Sequence, residues 1–521
     1  MIPMLENQSI CVVSKVRAFA VVAVVFLIGG LSEASAALRA GTATVNITAD
    51  KPTKPIHDPL RAKVLVVEDG SSRAVIIAVD LIEVSESFVK EIRLGVEKEL
   101  GFDPSTILIN ASHNHRTGGQ EAKDVTQRII AAVKEASRKM VPAKIGVGVG
   151  LEDRITMNRR LRMKDGSHWT IRHATPLPSD ADVAGLGPCD PQIGLLRVDT
   201  LAGRPLALVY NFAGHPYAGV TGGGVTADFP GFASAVIEKA WPGAVALFLQ
   251  GAAGDITPIR FNDFQNPQPT QELGTKLGLS TLQAAQGITT DEKADIRVVS
   301  ETVMMPRRTD TDEKIKAMLA EQEKILQFYT DAGNYSRPTG TALNFESFLP
   351  LYLQQRANPE HPSSVPYAYR QEESIGEHSL RSLDKENAER VQTYRACITQ
   401  MDRLITLRTN MRLRQKYAGM GGDGPIPAEI QAMKIGGFVL VTLPAEPFVE
   451  VGLHIKKQSP FPHTFMAGYS NGMLPGDYAP TAESYDKMGY EESCSELAPQ
   501  WQAIYEKKAL ELIRQLDSAG K

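Results

Sequence analysis

Three stretches of this chain set metal-binding or acid–base side chains directly after runs of apolar, β-rich sequence. The first is Asn110-Ala-Ser-His113-Asn-His115-Arg116-Thr-Gly-Gly119, which follows residues 106–109. Residues two apart at a strand end point to the same face, so His113 and His115 can both project into one cleft. The second is Asn211-Phe-Ala-Gly-His215-Pro216, after residues 207–211. Pro216 cannot continue a central ladder, which puts His215 on a turn. Thr226-Ala-Asp228-Phe-Pro-Gly231 then leads into a helix, and Gly251-Ala-Ala-Gly254-Asp255-Ile-Thr257-Pro258 follows the run 244–250. The third is Leu443-Pro-Ala-Glu446-Pro447, where prolines hold a carboxylate at the end of residues 437–443. Imidazole and carboxylate are ligands that zinc takes tetrahedrally, with one exchangeable position where it is catalytic. His113, His215 and Glu446 would make a His₂Glu set. Each motif alone also fits side chains hydrogen-bonded at a strand end, and the convergence of several such ends is what points to a site.

The elements that must position these residues alternate. Strand-like runs at 62–67, 74–79, 106–109, 207–211 and 244–250 are interleaved with amphipathic helical stretches at 85–100, 124–140 and 232–240. That pattern indicates an α/β (α+β) layered domain with a sheet at its centre. Residues from about 309 to 417 differ. Charged helical stretches at 311–330 and 383–414 surround a Pro-rich, irregular piece at 337–369, and together they read as a helical insertion, either a solvated arm or a lid. Strand pattern returns at 428–443, and residues 500–516 make a closing helix.

With 521 residues, 43% hydrophobic and 22% charged, the chain has the balance of a globular protein. A formal net charge of -4 leaves no basic surplus to displace counterions, so no nucleic acid is expected as a partner. Lys15 and Arg17 precede an apolar run at 18–31, and Ala34-Ser35-Ala36 follows as a small-residue cleavage pattern. That order predicts a signal peptide over residues 1–36, a mature chain from 37 to 521 and a secreted or periplasmic location. The run is short for a membrane span, and no later segment is long and apolar enough for one; contact with a membrane surface stays open. Cys11 leaves with the signal, and Cys189, Cys397 and Cys494 can form one disulfide at most.

Taken together, these motifs resemble the neutral ceramidases and their bacterial relatives. The similarity runs from Arg39-Ala-Gly-Thr-Ala-Thr-Val-Asn-Ile-Thr48 through the HxH loop, Asn158-Arg159-Arg160, the Gly-His-Pro turn and Gly-Asp-Ile-Thr-Pro. It continues to Leu-Pro-Ala-Glu-Pro and Tyr478-Ala-Pro-Thr-Ala-Glu-Ser-Tyr485. The resemblance implies a neutral-ceramidase-like catalytic domain with one zinc ion per chain. It also implies hydrolysis of an N-acyl amide, ceramide or a related lipid or small molecule. The ligands it implies are His113, His215, Glu446 and Tyr478, with Tyr485 the lesser candidate for the tyrosine. It places His115 beside the metal for proton transfer or carbonyl orientation, and Arg159 as an oxyanion or substrate contact. Where the family has a serine this chain has Thr257, which disfavours a hydroxyl-acyl mechanism and favours a metal-activated water. Either His115 or Asp228 would then protonate the leaving amine. The sequence leaves little room after the closing helix, so the family's C-terminal β-sandwich is not expected.

Two other readings compete. Gly468-Tyr-Ser470-Asn-Gly472 fits the G-x-S-x-G nucleophile elbow, but Pro475 and Gly476 follow at once and no histidine lies beyond His463. A non-catalytic, metal-stabilised binding protein would need a closed coordination shell. The polar neighbours His115, Arg159 and Asp228 speak for catalysis.

Overall fold

The computed structural model describes residues 38–171, 178–259, 270–331, 345–487 and 489–517. The expected signal peptide therefore lies outside the described residues. In chain order the larger sheet begins with β1 (Arg39–Asn46), β2 (Arg61–Glu68), β3 (Arg73–Val79), β4 (Ile107–Ala111) and β5 (Val141–Leu151). Four short strands follow: β6 (Thr156–Asn158), β7 (Arg160–Met163), β8 (His168–Thr170) and β9 (Val183–Leu186). The sheet then resumes with β10 (Gln192–Thr200), β11 (Pro205–Phe212) and β12 (Val245–Gln250), and β13 (Ile256–Pro258) pairs back onto β6. A smaller sheet comprises β14 (Ile296–Met305), β15 (Ile426–Ile435), β16 (Phe438–Thr442) and β18 (Thr464–Ala467). The two-residue strands β17 (Glu446–Pro447) and β19 (Tyr478–Ala479) form a separate parallel pair.

The larger sheet has the order β12-β11-β10-β5-β1-β2-β3-β4, antiparallel except for the pairs β3/β4 and β11/β12. Apolar residues from both of its halves and from the smaller sheet share one core, among them Leu65, Ile76, Leu196, Val209, Phe438 and Phe465. Opposite faces carry helices. Glu86–Leu100 and Val125–Arg138 cover β1 to β4, Asp228–Ala240 and Thr270–Gln286 cover β10 to β12, and Val449–Gln458 and Trp501–Gln515 cover the smaller sheet. The result is a mixed α/β layered fold with two sheets between helical layers.

Local chemistry explains the boundaries. The first helix begins where the Ser85 hydroxyl accepts the Phe88 N–H, and it ends at Gly101 in the left-handed conformation, φ 68°. The strand pattern at 428–443 resolves into two strands, because Gly436-Gly437 makes a two-residue hairpin turn between β15 and β16. The piece expected to be irregular, 337–369, holds the whole helix Phe345–Ala357 and the start of Pro366–Ser374. With Thr311–Asp331 and Ser379–Tyr417, these helices fill the interval between the paired strands β14 and β15. Among the described residues no disulfide joins Cys189, Cys397 or Cys494. Among the described residues no helix is long and apolar enough to cross a membrane.

What matters for the site is how strand ends gather. β4 and β12 are the opposite edges of the larger sheet, yet the Gln250 N–H donates to Asn110 Oδ1 at 2.8 Å, and the Gln250 side-chain amide donates to the carbonyls of Ser112 and Gly214. The curled sheet thus brings the loops after β4, β11 and β12 into one cluster. Asn110 reaches across to the Gly468 carbonyl after β18, at 2.7 Å, which joins the smaller sheet to it.

Candidate metal centre

His113, His115 and His215 meet at this junction. Their Nε2 atoms are mutually 3.1, 3.0 and 3.0 Å apart. His113 and His215 are buried, whereas His115 opens to solvent. Main-chain acceptors fix two of the rings: His113 Nδ1 is 2.8 Å from the Ile82 carbonyl, and His215 Nδ1 is 3.3 Å from the Ala253 carbonyl. Donating from Nδ1 leaves a lone pair on each Nε2, and those lone pairs face one another. Such an arrangement is repulsive without a cation between them. Bonds of about 2.0–2.1 Å to zinc at tetrahedral angles set donors about 3.3 Å apart, close to the spacing here. The residues fit a metal. Burial first, then the neighbouring His113, Arg159 and His115 charges, push the His215 pKa well below its ordinary value, so its ring is held neutral as a ligand must be.

Glu446 comes to the same point from β17. Its Oε2 is 3.2 Å from His113 Nε2 and accepts from the Tyr469 hydroxyl at 3.4 Å. The Glu446 N–H donates to the Asp477 carbonyl at 2.7 Å, and the β17/β19 pairing sets Glu446 opposite Tyr478. Tyr478 stands in the cleft wall with its hydroxyl 3.1 Å from Arg159 Nη2. Arg159 is buried; its Nε donates to Glu491 at 2.9 Å and its Nη2 to the Gly254 carbonyl at 2.6 Å. Arg160 shares Glu491 and adds Glu492, so two arginines and two glutamates form a buried network behind the cleft.

The cleft in front of the histidines has a volume of about 270 Å³ and is lined by His115, Arg116, Arg159, His215, Tyr217, Tyr478 and Tyr490. Thus the side chains expected as ligands or metal neighbours, His113, His115, His215 and Glu446, come together, with Arg159 and Tyr478 beside them. His115, expected next to the metal, has its Nε2 among the converging donors.

Other expected residues are placed differently. Thr257 is fully buried in β13, its hydroxyl against that of Tyr217, and it reaches the cleft only through that ring. Asp228 does not line the cleft. One carboxylate oxygen accepts the Gly219 N–H at 2.7 Å, and the other accepts the Phe229 N–H at 2.6 Å and the Thr270 hydroxyl. A carboxylate so occupied pins the turn after His215 to the start of the next helix, and burial pushes its pKa up. Tyr485 bonds the Ser495 hydroxyl at 3.1 Å, away from the cleft. Ser470 is fully buried, donating to the Gly468 carbonyl and accepting from Asn110, which excludes an exposed nucleophile.

Sequence reasoning missed Arg116, Tyr217, Tyr469, Tyr490 and Glu491. Arg116 and Tyr217 directly neighbour recognised histidine motifs, which was a usable signal. Tyr490 and Glu491 lie on a short helix, Tyr490–Cys494, with no sequence mark of their role.

Comparison with known proteins agrees with this architecture. The chain superposes on the crystal structure of neutral ceramidase from Pseudomonas aeruginosa with a TM-score of 0.57 at 16% identity, covering 92% of this chain and 74% of that one. A structure of a ceramidase complexed with C2 gives 0.58 at 16% identity, covering 92% and 75%. The fold is that of the neutral ceramidases. No family model and no curated protein sequence matches the chain.

Proposed function

We propose that this chain is an exported, zinc-dependent hydrolase that cleaves the amide bond of an N-acyl compound. The observation that carries the reading is the inward convergence of three imidazole lone pairs, two of them oriented by main-chain carbonyls. His113, His115 and His215 would hold the ion, with Glu446 beside His113 and Tyr478 in the adjoining wall. Zinc bound there supplies a Lewis acid and lowers the pKa of water from 15.7 to about 7. The likeness to ceramidase structures supports an amide substrate, and the exposed side of His115 supports a centre open to one.

The chain's own groups support the remaining steps. Arg159, its charge fixed by Glu491, and the Tyr478 hydroxyl offer donors to a carbonyl oxygen gaining negative charge. Burial and the Glu446 charge raise the Tyr478 pKa well above its ordinary value, which keeps that hydroxyl protonated as a donor. Tyr217, whose ring lies 5.0 Å from that of His215, is the hydroxyl we assign to protonating the leaving amine. Thr257, bonded to Tyr217, supports it without attacking.

The test is hydrolysis of fluorescent ceramide and of shorter N-acyl amides by the purified protein as isolated, after chelation, after zinc return, and as His215→Ala. Turnover of at least one amide is expected to vanish with the chelator and the substitution, and to return with zinc. Thr257→Ala should lower it severalfold without abolishing it. Stoichiometric zinc with no cleavage of any amide would instead identify a binding protein.

A further inference from the structure

The cleft carries a feature that a neutral lipid would not use. Its walls are two arginines, two histidines and three tyrosines, with no aliphatic side chain among the described residues. Pockets for apolar ligands are typically about 300–1,000 Å³ and lined mainly by hydrophobic groups. This one, at about 270 Å³, is smaller, and its walls mix polar and charged groups with the faces of three tyrosine rings.

The two arginines are not equivalent. Arg159 is matched by the buried carboxylate of Glu491. Arg116 forms no ion pair among the described residues, and its guanidinium is held by main-chain carbonyls only: Nε donates to Tyr217 at 2.9 Å, and Nη2 to Tyr217 and Ala218. Among the described residues its Nη1 has no protein partner. Asp228 feels this charge, but its two oxygens are bound to Gly219, Phe229 and Thr270. The backbone around Arg116 is shaped for it. Its N–H donates to Asn114 Oδ1 at 2.9 Å, and its guanidinium lies over Gly219, where a Cβ would come within 2.8 Å of Nε. Gly219 also has φ 77°, a conformation that glycine adopts freely. A cation fixed by neutral acceptors at the edge of a cleft, one nitrogen unused, is a receptor for an anion.

We propose that the substrate carries a carboxylate on its amine portion, that it is an N-acyl amino acid rather than a neutral ceramide, and that Arg116 binds this carboxylate. The proposal rests on the amide-hydrolase reading and names its substrate class. The acyl carbonyl would face Arg159 and Tyr478, with the carboxylate on Arg116 across the His115 side of the cleft. The field of a bound cation and of Arg116, whose charge no described carboxylate pairs, favours an anionic ligand over an uncharged one of the same shape.

The experiment compares N-octanoylglycine with uncharged N-octanoylglycinamide and a short-chain ceramide, using the zinc-loaded protein, Arg116→Gln and Arg116→Lys. The acid should exceed the amide at least tenfold in kcat/KM. Arg116→Gln should bring that ratio toward one, mainly through KM, and Arg116→Lys should restore part of it. An equal or greater rate on the amide or the ceramide overturns the proposal and leaves the hydrolase reading intact, as does an acid preference unchanged in Arg116→Gln. Should none of the three be cleaved, the hydrolase reading fails by itself. Calorimetric binding then decides about Arg116: the acid alone binding, and only with Arg116 present, sustains the carboxylate site, while equal binding of acid and amide removes it.

Discussion

The metal-centre loops and the helices between Thr311 and Tyr417 are built on opposite terms. The non-glycine residues with positive φ among those described are His113, Tyr469, Asn471 and Asp477, in loops around the metal-centre residues, and Asp228, at the start of a helix. Such backbone costs of order 1–3 kcal/mol each and persists only where surrounding contacts over-determine it. Here they do: Tyr469 packs its ring 4.4 Å from that of His113, Asn471 Oδ1 accepts the Ile109 N–H, and the Asp477 carbonyl accepts the Glu446 N–H. The helices show no such residue, and they leave large apolar side chains in solvent, with Tyr367 78% and Ile405 56% exposed. One region is shaped by dense tertiary contact, and the other by long helices that share a small apolar seam. Substitutions should therefore be felt at the first and absorbed at the second.

The most severe test of that contrast is Glu491→Gln. Glu491 is fully buried and holds Arg159 and Arg160 together, so loss of its charge leaves two buried guanidiniums with Glu492 alone. Removing one partner of a buried pair typically costs about 3–5 kcal/mol. Denaturant unfolding should show a loss of that order, and residual folded protein should have a lower kcat because Arg159 is no longer fixed beside Tyr478. A change below about 1 kcal/mol would mean the network is dispensable and the cleft far less over-determined than its geometry says.

Asp255 sharpens the comparison through pH. Its carboxylate is buried beside the cleft, accepting from the Val449 N–H and the Asn158 amide, and burial raises its pKa from 3.8 to about 7. A raised carboxyl favours folding while protonated. The contribution is fully present below about 3.8 and lost as pH rises through about 7. At about 1.36 kcal/mol per pKa unit, this loss is on the order of 4 kcal/mol in metal-free protein. Asp255→Asn should flatten stability between pH 4 and 7 in urea titrations of the metal-free protein. A wild-type profile already flat across that window would remove Asp255 as a strained group.

The two regions were also unequally legible in the sequence. β-Rich runs bounded by turn residues located the strands that carry the histidines, because buried strands are continuous apolar stretches. The HxH loop, the Gly-His-Pro turn and Glu446 were legible because each stands at the end of such a run. Asp228 was legible as an acid near the site, but a pattern of residue types does not reveal that Gly219, Phe229 and Thr270 occupy its oxygens outside the cleft lining. Nor does it reveal Glu491, which acts through a contact with a residue 332 positions earlier. The helix Phe345–Ala357 was hidden by Pro350, which reads as a breaker although the helix runs through it.

The smallest expected effect is Arg403→Ala. Arg403 Nε lies 2.7 Å from Glu321, joining Ser379–Tyr417 to Thr311–Asp331, with the two side chains 22% and 31% exposed. Ion pairs reached by solvent contribute about 0–1 kcal/mol, since water screens the attraction and two long side chains lose rotamer freedom. Apolar contact among Met318, Ile325 and Leu407 already holds these helices together. Unfolding should therefore shift by less than about 1 kcal/mol, and kcat/KM on the best amide substrate should stay within twofold. A severalfold fall in kcat/KM with stability unchanged would break the comparison. The helices would then act on the cleft as a lid, and this lightly packed region would have to be counted as part of the site.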